Sequence, residues 1–157
     1  MFGFEDVMIA EAIKPQTGAG ARSADWISLK GYDRCLIVVH IAQGAADTTA
    51  LTVDKAHSVA AAGESTGITM NNWWSCEDTP TTATAYTKGT AAASITSSAT
   101  GSGSSIYLIL IQPDELGAYD CIQLEAGASA AGNLISAQYV LSRGRYQDDA
   151  PLDPVSD

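Results

Sequence analysis

The sequence predicts an all-β fold, a β-sandwich or jelly-roll-like barrel of about eight strands, and three observations carry that expectation. First, RCLIVVHIA (34–42) and SIYLILIQ (105–112) are short apolar runs flanked by Gly, Asp and Pro. Their length and turn-rich borders suit buried strands better than helices. Second, in ALTVDKAH (50–57) Leu51 and Val53 alternate with Thr52 and Asp54, the period of a half-buried strand. Third, no stretch carries a convincing amphipathic helix. The one competitor, DKAHSVAAAGE (54–64), is weakened by its Gly and its β-branched neighbours.

Residues 1–24 read as an extended N-terminal arm in which Val7, Met8, Ile9 and Ile13 form a strand or a short helical turn. PQTGAGARS (15–23) then supplies turn formers. The β-domain is expected over 25–146. It opens with WISLK (26–30), continues through the two runs above, and adds ITMNNWW (68–74). If that segment is extended, Trp73 and Trp74 point to opposite faces and one indole reaches a surface. The stretch 79–104 is rich in Thr, Ala and Ser with Lys88 its only charge; Thr favours strands, and SATGSGSS reads as a flexible turn. YDCIQLEAG (119–127) and NLISAQYVLSRGRY (133–146) supply the last strands, with PDELG a turn before them. Residues 147–157, acidic and Pro-containing, are expected to form a flexible tail.

A chain of 157 residues suffices for one domain that buries roughly 70% of its unfolded surface. Charged residues make up only 17% of it, and Ala, Thr, Ser and Gly take their place. Small uncharged side chains suit close contact between neighbouring surfaces. Eight basic against 18 acidic residues give a formal charge of -10. Direct binding to nucleic acid, which requires Lys and Arg to displace counterions from phosphates, is not expected. Adhesion to an anionic membrane is not expected either, and no apolar run approaches the roughly 18 residues of a membrane span. MFGFEDVMIAEAIK carries acidic residues early and lacks a basic-then-apolar leader pattern.

Candidate chemistry is sparse. Cys35, Cys76 and Cys121 are far apart and form no CxxC pair. Cys35 and Cys121 lie in apolar runs, as buried reduced thiols do. His40 reads as a packed strand residue and His57 as a surface one; neither lies in a zinc-binding frame. No GxSxG marks a nucleophile. GSGSS (101–105) lacks the Lys of a phosphate loop. Adjacent carboxylates at Glu77–Asp78, Asp114–Glu115 and Asp148–Asp149 point apart on a strand or mark turns. The expectation is therefore no catalytic, cofactor-binding or metal-binding residues.

DWISLKGYDRCLIVVHIAQGAA (25–46), YLILIQPDELGAYDCIQLE (107–125) and ISAQYVLSRGRYQDDAP (135–151) together are similar to small virion proteins of tailed bacteriophages. The resemblance spans about three quarters of the chain in loose pattern. It implies a head decoration (cement) protein, made in the host cytoplasm, that binds between major capsid subunits on the capsid exterior and assembles as a homotrimer. Expected contact residues are Phe2, Phe4, Trp26, Trp73, Trp74, Arg143 and Arg145. For each Trp, core packing is the competing role; for the arginines, pairing within the chain. Two alternatives are another virion component (tail, connector or fibre base) and a carbohydrate-binding module. The latter would use Trp73, Trp74, Asn71 and Asn72 as a sugar platform.

Overall fold

The computed structural model describes residues 7–60, 64–79, 82–83, 85–99 and 103–143. Within them the chain is all-β: two antiparallel sheets packed face to face, with one short 3-10 turn. In chain order the strands are β1 (Val7–Thr17), β2 (Arg22–Ser23), β3 (Ile27–Ser28), β4 (Tyr32–Gln43), β5 (Ala50–Ala56), β6 (Thr66–Gly67) and β7 (Asn72–Thr79). They continue with β8 (Thr82–Ala83), β9 (Thr87–Lys88), β10 (Ile95–Thr96), β11 (Gly103–Ile111), β12 (Cys121–Ala126) and β13 (Leu134–Arg143). Seven of these have six or more residues. The other six are two-residue pairings at the edges; WISLK and the Thr-rich stretch 79–104, expected as strands, contribute only such short pairings.

The larger sheet runs β1-β13-β4-β11-β7-β8, with β9 also paired to β7. The smaller runs β10-β5-β12-β2, with β3 on β12 and β6 on β5. Short strands blunt an edge of each sheet, which limits uncontrolled edge pairing. The strands expected at 34–42, 50–57, 105–112 and 119–127 form as β4, β5, β11 and β12. ITMNNWW splits: Ile68 and Met70 are buried in loop backbone, Met70 bridges to Ala92, and β7 begins at Asn72. At 54–64, Asp54 to Ala56 belong to β5 and no described residue is helical. PDEL (113–116) forms the 3-10 turn, whose Glu115 carboxylate accepts from the Gln112 backbone N–H at 3.1 Å.

Much of the segment read as an arm is part of the body. Val7–Thr17 pairs along β13, with Val7 opposite Ser142 and Thr17 opposite Leu134. Its alternation places Met8, Ala10 and Ala12 towards the core and Ile9 and Glu11 outward. Further along, Ala24 is buried in the core. The acidic tail 147–157 lies outside the described residues.

The core fills the space between the sheets. Cys35, Ile37, Val39 and Ile41 of β4 meet Leu51, Val53, Ile122 and Leu124 of the smaller sheet; all are buried. Tyr139 of β13 crosses the gap. Its hydroxyl accepts the Leu124 N–H at 2.9 Å and donates to the Asp25 carbonyl at 3.3 Å, so a polar tip in the core finds partners on the opposite sheet. Burial pushes its phenol well above the ordinary tyrosine range.

One end of the sandwich is tied by Asn133, which is buried. Its Oδ1 accepts from the Gly44 and Ala45 N–H groups at 3.0 and 2.9 Å. Its Nδ2 donates to Ser129 Oγ at 2.8 Å, and its backbone carbonyl accepts from Gly18 N at 2.7 Å. Three loops converge there, closely enough that a Cβ on Gly44 would lie 2.3 Å from the Gly132 carbonyl oxygen. Asn133→Ala is expected to cost about 1–3 kcal/mol through the lost hydrogen bonds and partly buried N–H groups left unpaired. Urea unfolding of wild type and variant measures this, and an unchanged midpoint would remove the latch.

Candidate interaction surface

Because side chains alternate across a strand, the larger sheet has a second face, turned away from the core. Cross-strand register defines its rows. In one row Glu11 stands opposite Gln138, Gln138 opposite Val38, Val38 opposite Leu108, Leu108 opposite Trp74, and Trp74 opposite Lys88. A second row joins Ile9, Val140, Leu36, Leu110 and Asn72. A third joins Ser136, His40, Ile106 and Cys76. The middle of this face is apolar. Leu36, Val38, Ile106, Leu108 and Val140 are half-buried, while Ile9 is 61% and Leu134 51% exposed.

Charge sits on the margins of the apolar field. Glu11 lies on the β1 edge. Lys88, on the β9 edge, holds its Nζ 5.8 Å from the Trp74 ring centroid and 3.3 Å from Asn72 Oδ1. Arg34 pairs with Asp33 at 2.8 Å. His40 is exposed on this face, not packed as its apolar neighbours suggested, because it falls on the outward parity of β4.

The tryptophans part company as the alternation of an extended strand requires. Trp74 lies on the outer face. Trp73 turns inward against the core, donating from Nε1 to the Thr90 carbonyl at 2.8 Å, with its ring over Gly89. Trp26 is half-buried between β2 and β3, on the other sheet. The three indoles therefore do not form one patch, and Trp73 and Trp74 do not assemble a shared sugar platform. Asn71 instead donates to Glu115 at 3.2 Å. Phe2, Phe4 and Arg145 lie outside the described residues, as does the Arg143 side chain; the Arg143 backbone closes β13. What sequence reasoning missed is the outer face itself. Its signal was present in the unbroken apolar stretches 35–39 and 106–111, since a strand exposed on one side alternates.

Elsewhere, His57 stacks on Tyr119 with centroids 4.3 Å apart, and Lys55 Nζ lies 4.7 Å from the same ring. Arg22 and Glu125 line a shallow groove of about 250 Å³ on the smaller sheet, with Arg22 donating to the Ala21 and Thr17 carbonyls. Burial drives the Cys35 thiol far above the ordinary range, where it is a poor nucleophile. Among the described residues no three His, Cys, Asp or Glu side chains gather as a metal site would need. Among them, too, no helix is long and apolar enough to cross a membrane.

No family model matches the chain, and no curated protein does. Among solved structures it is similar to YomS, a protein derived from the SPBc2 prophage, at 9% identity and a TM-score of 0.47, over 87% of this chain and 94% of that one. A family two carbohydrate esterase from Cellvibrio japonicus aligns at 12% identity and TM-score 0.31, over 93% of this chain but 36% of the esterase. Desmodium yellow mottle tymovirus aligns at 10% identity and TM-score 0.30, over 92% of each chain.

Gly89 lets the Trp73 ring close onto the backbone: a Cβ there would fall 1.9 Å from a ring carbon. Gly89→Ala is expected to destabilise by about 1–3 kcal/mol as the indole is displaced. Gly67→Ala, whose Cβ would meet only Asp54 Oδ1 at 3.6 Å, is the matched control with a loss below about 1 kcal/mol. Equal thermal midpoints for the two variants would contradict the Trp73 packing.

Proposed function

We propose that the chain is a non-catalytic structural virion protein of a tailed phage, one that decorates the capsid exterior by docking between major capsid subunits. The observation that carries this reading is where the body receives its two terminal segments. Val7 and Ser142 are register partners at the outer edge of the larger sheet, and Arg143 follows directly. Residues 1–6, with Phe2 and Phe4, and the residues from Arg143 onward, with Arg145, thus join the sandwich at one corner. Four of the seven contact candidates lie within six residues of that corner along the chain.

A sandwich whose β1 start and β13 end are paired, next in sequence to Phe2, Phe4 and Arg145, suits docking onto a shell. Buried aromatics and arginines supply most of the energy at protein interfaces. Repetition over the shell then multiplies a modest affinity per copy. The acidic balance of -10 opposes direct contact with packaged nucleic acid, which fits an exterior position. The sequence resemblance to small phage virion proteins supports the same reading, and an uncatalysed structural role requires no cofactor.

Purified heads lacking the protein provide the test. Wild-type chain is expected to bind them at hundreds of copies, roughly as shell symmetry dictates. A Phe2→Ala/Phe4→Ala variant and an Arg143→Glu/Arg145→Glu variant are each expected to bind at least about tenfold more weakly, with the sandwich's thermal midpoint unchanged. Failure of wild type to bind heads would overturn the proposal. Copurification with tails at about six to twelve copies per particle would instead favour a connector or fibre-base component.

A further inference from the structure

We infer that the outer face of the larger sheet is a two-fold interface with a second copy of this chain. The inference concerns the protein in solution and stands apart from the capsid reading.

The face is large enough. Six strands at about 4.8 Å spacing, over roughly seven residues of about 3.3 Å each, give a field near 25 by 25 Å. A pair of such faces removes about 1,200–1,400 Å² from water, within the range of specific stable interfaces. Its apolar centre and charged margin have the anatomy of an interface whose core is depleted of charge. Unbroken apolar runs belong to strands covered on both sides. The smaller sheet covers one side of β4 and β11, and the described chain leaves the other open.

The register identifies the second copy as the occupant. The row Glu11–Gln138–Val38–Leu108–Trp74–Lys88 runs straight across the sheet, with opposite charges at its two ends. Place a two-fold axis between two such faces, parallel to the strands and over the seam of β4 and β11. The operation exchanges β1 with β9, β13 with β7 and β4 with β11, and keeps each residue at its own level. Glu11 of each copy then faces Lys88 of the other, twice over. Val38 faces Leu108, and the Gln138 amide meets the Trp74 indole. In the neighbouring rows Leu36 faces Leu110 and His40 faces Ile106, so no like charges meet among these residues. Face-to-face sheets pack within about 30° of alignment, which this axis permits.

A face complementary to itself in this way generates a closed pair. A three-fold ring, as the sequence resemblance implied, needs two different surfaces meeting head to tail. The geometry on this face therefore favours a dimer as the unit of self-association.

Light scattering on the full chain across a concentration series, near neutral pH and moderate salt, tests the proposal. The wild type is expected at twice 16.3 kDa. Glu11→Lys and Lys88→Glu alone each convert both cross-pairs to like charges and should weaken the dimer at least about tenfold, or about 1.4 kcal/mol. The double variant restores the pairing and should recover the wild-type constant. Val38→Asp should be a monomer with an unchanged circular dichroism spectrum. A monomeric or trimeric wild type would overturn the inference. So would a dimer indifferent to Val38→Asp, or a double variant no tighter than the singles. A monomer whose mass rises on deletion of residues 1–6 or 144–157 would identify the chain's own termini as the cover and overturn it likewise.

Discussion

The structure depends on a constraint at its centre: β4, β11 and β13 carry apolar side chains on both parities. A pleated strand sends alternate residues to opposite faces, so covering one face leaves the other unsolved. Cys35, Ile37, Val39 and Ile41 disappear beneath the smaller sheet. Leu36, Val38, Ile106, Leu108 and Val140 stand on the far side, half-buried. The core and the outer apolar face are thus the two sides of the same strands.

Holding the sheets in register falls to a few polar groups whose partners lie across the core or across a loop. Tyr139 reaches the Leu124 N–H on the opposite sheet, and Tyr107 accepts from Ser98 N at 3.0 Å. Each hydroxyl satisfies a backbone group that no strand partner serves. Because buried polar atoms are costly when unpaired, such bonds penalise alternative slips of one sheet over the other more than they add to total stability. Asn133 does the same work where three loops converge. Val7 and Ser142 pair at the opposite end of β13, away from the Asn133 latch.

Local periodicity made the principal strands legible. Dense β-branched runs marked β4 and β11, and strict alternation marked β5, because both patterns are set by burial within a single strand. The bounds of the two-residue strands were not legible: the Thr-rich stretch 79–104 suggested strand, but that Thr87–Lys88 in particular pairs with β7 is set by backbone geometry. The full length of β1 is masked in the sequence because two register shifts, at Glu11/Ile13 and Ile13/Gln16, break its alternation. The opposed directions of Trp73 and Trp74 followed from extended parity. Which of them faced the core did not, since that depends on Trp73 packing over Gly89, sixteen residues away. The outer face needed the cross-strand register, for Glu11 and Lys88 share a row only once six strands are aligned.

Cysteine alkylation tests the two-faced sheet most directly, because Cys35 and Cys76 sample its two faces and Cys121, in the smaller sheet, is a buried reference. Cys35 is fully buried between the sheets and Cys121 fully buried in β12, while Cys76 is half-buried on the outer face, in the row of His40 and Ile106. The account predicts one modified thiol per native chain, at Cys76, with a rate that falls as protein concentration rises and copies cover the face. Modification of Cys35 at a comparable rate, or a Cys76 rate independent of concentration, would contradict it.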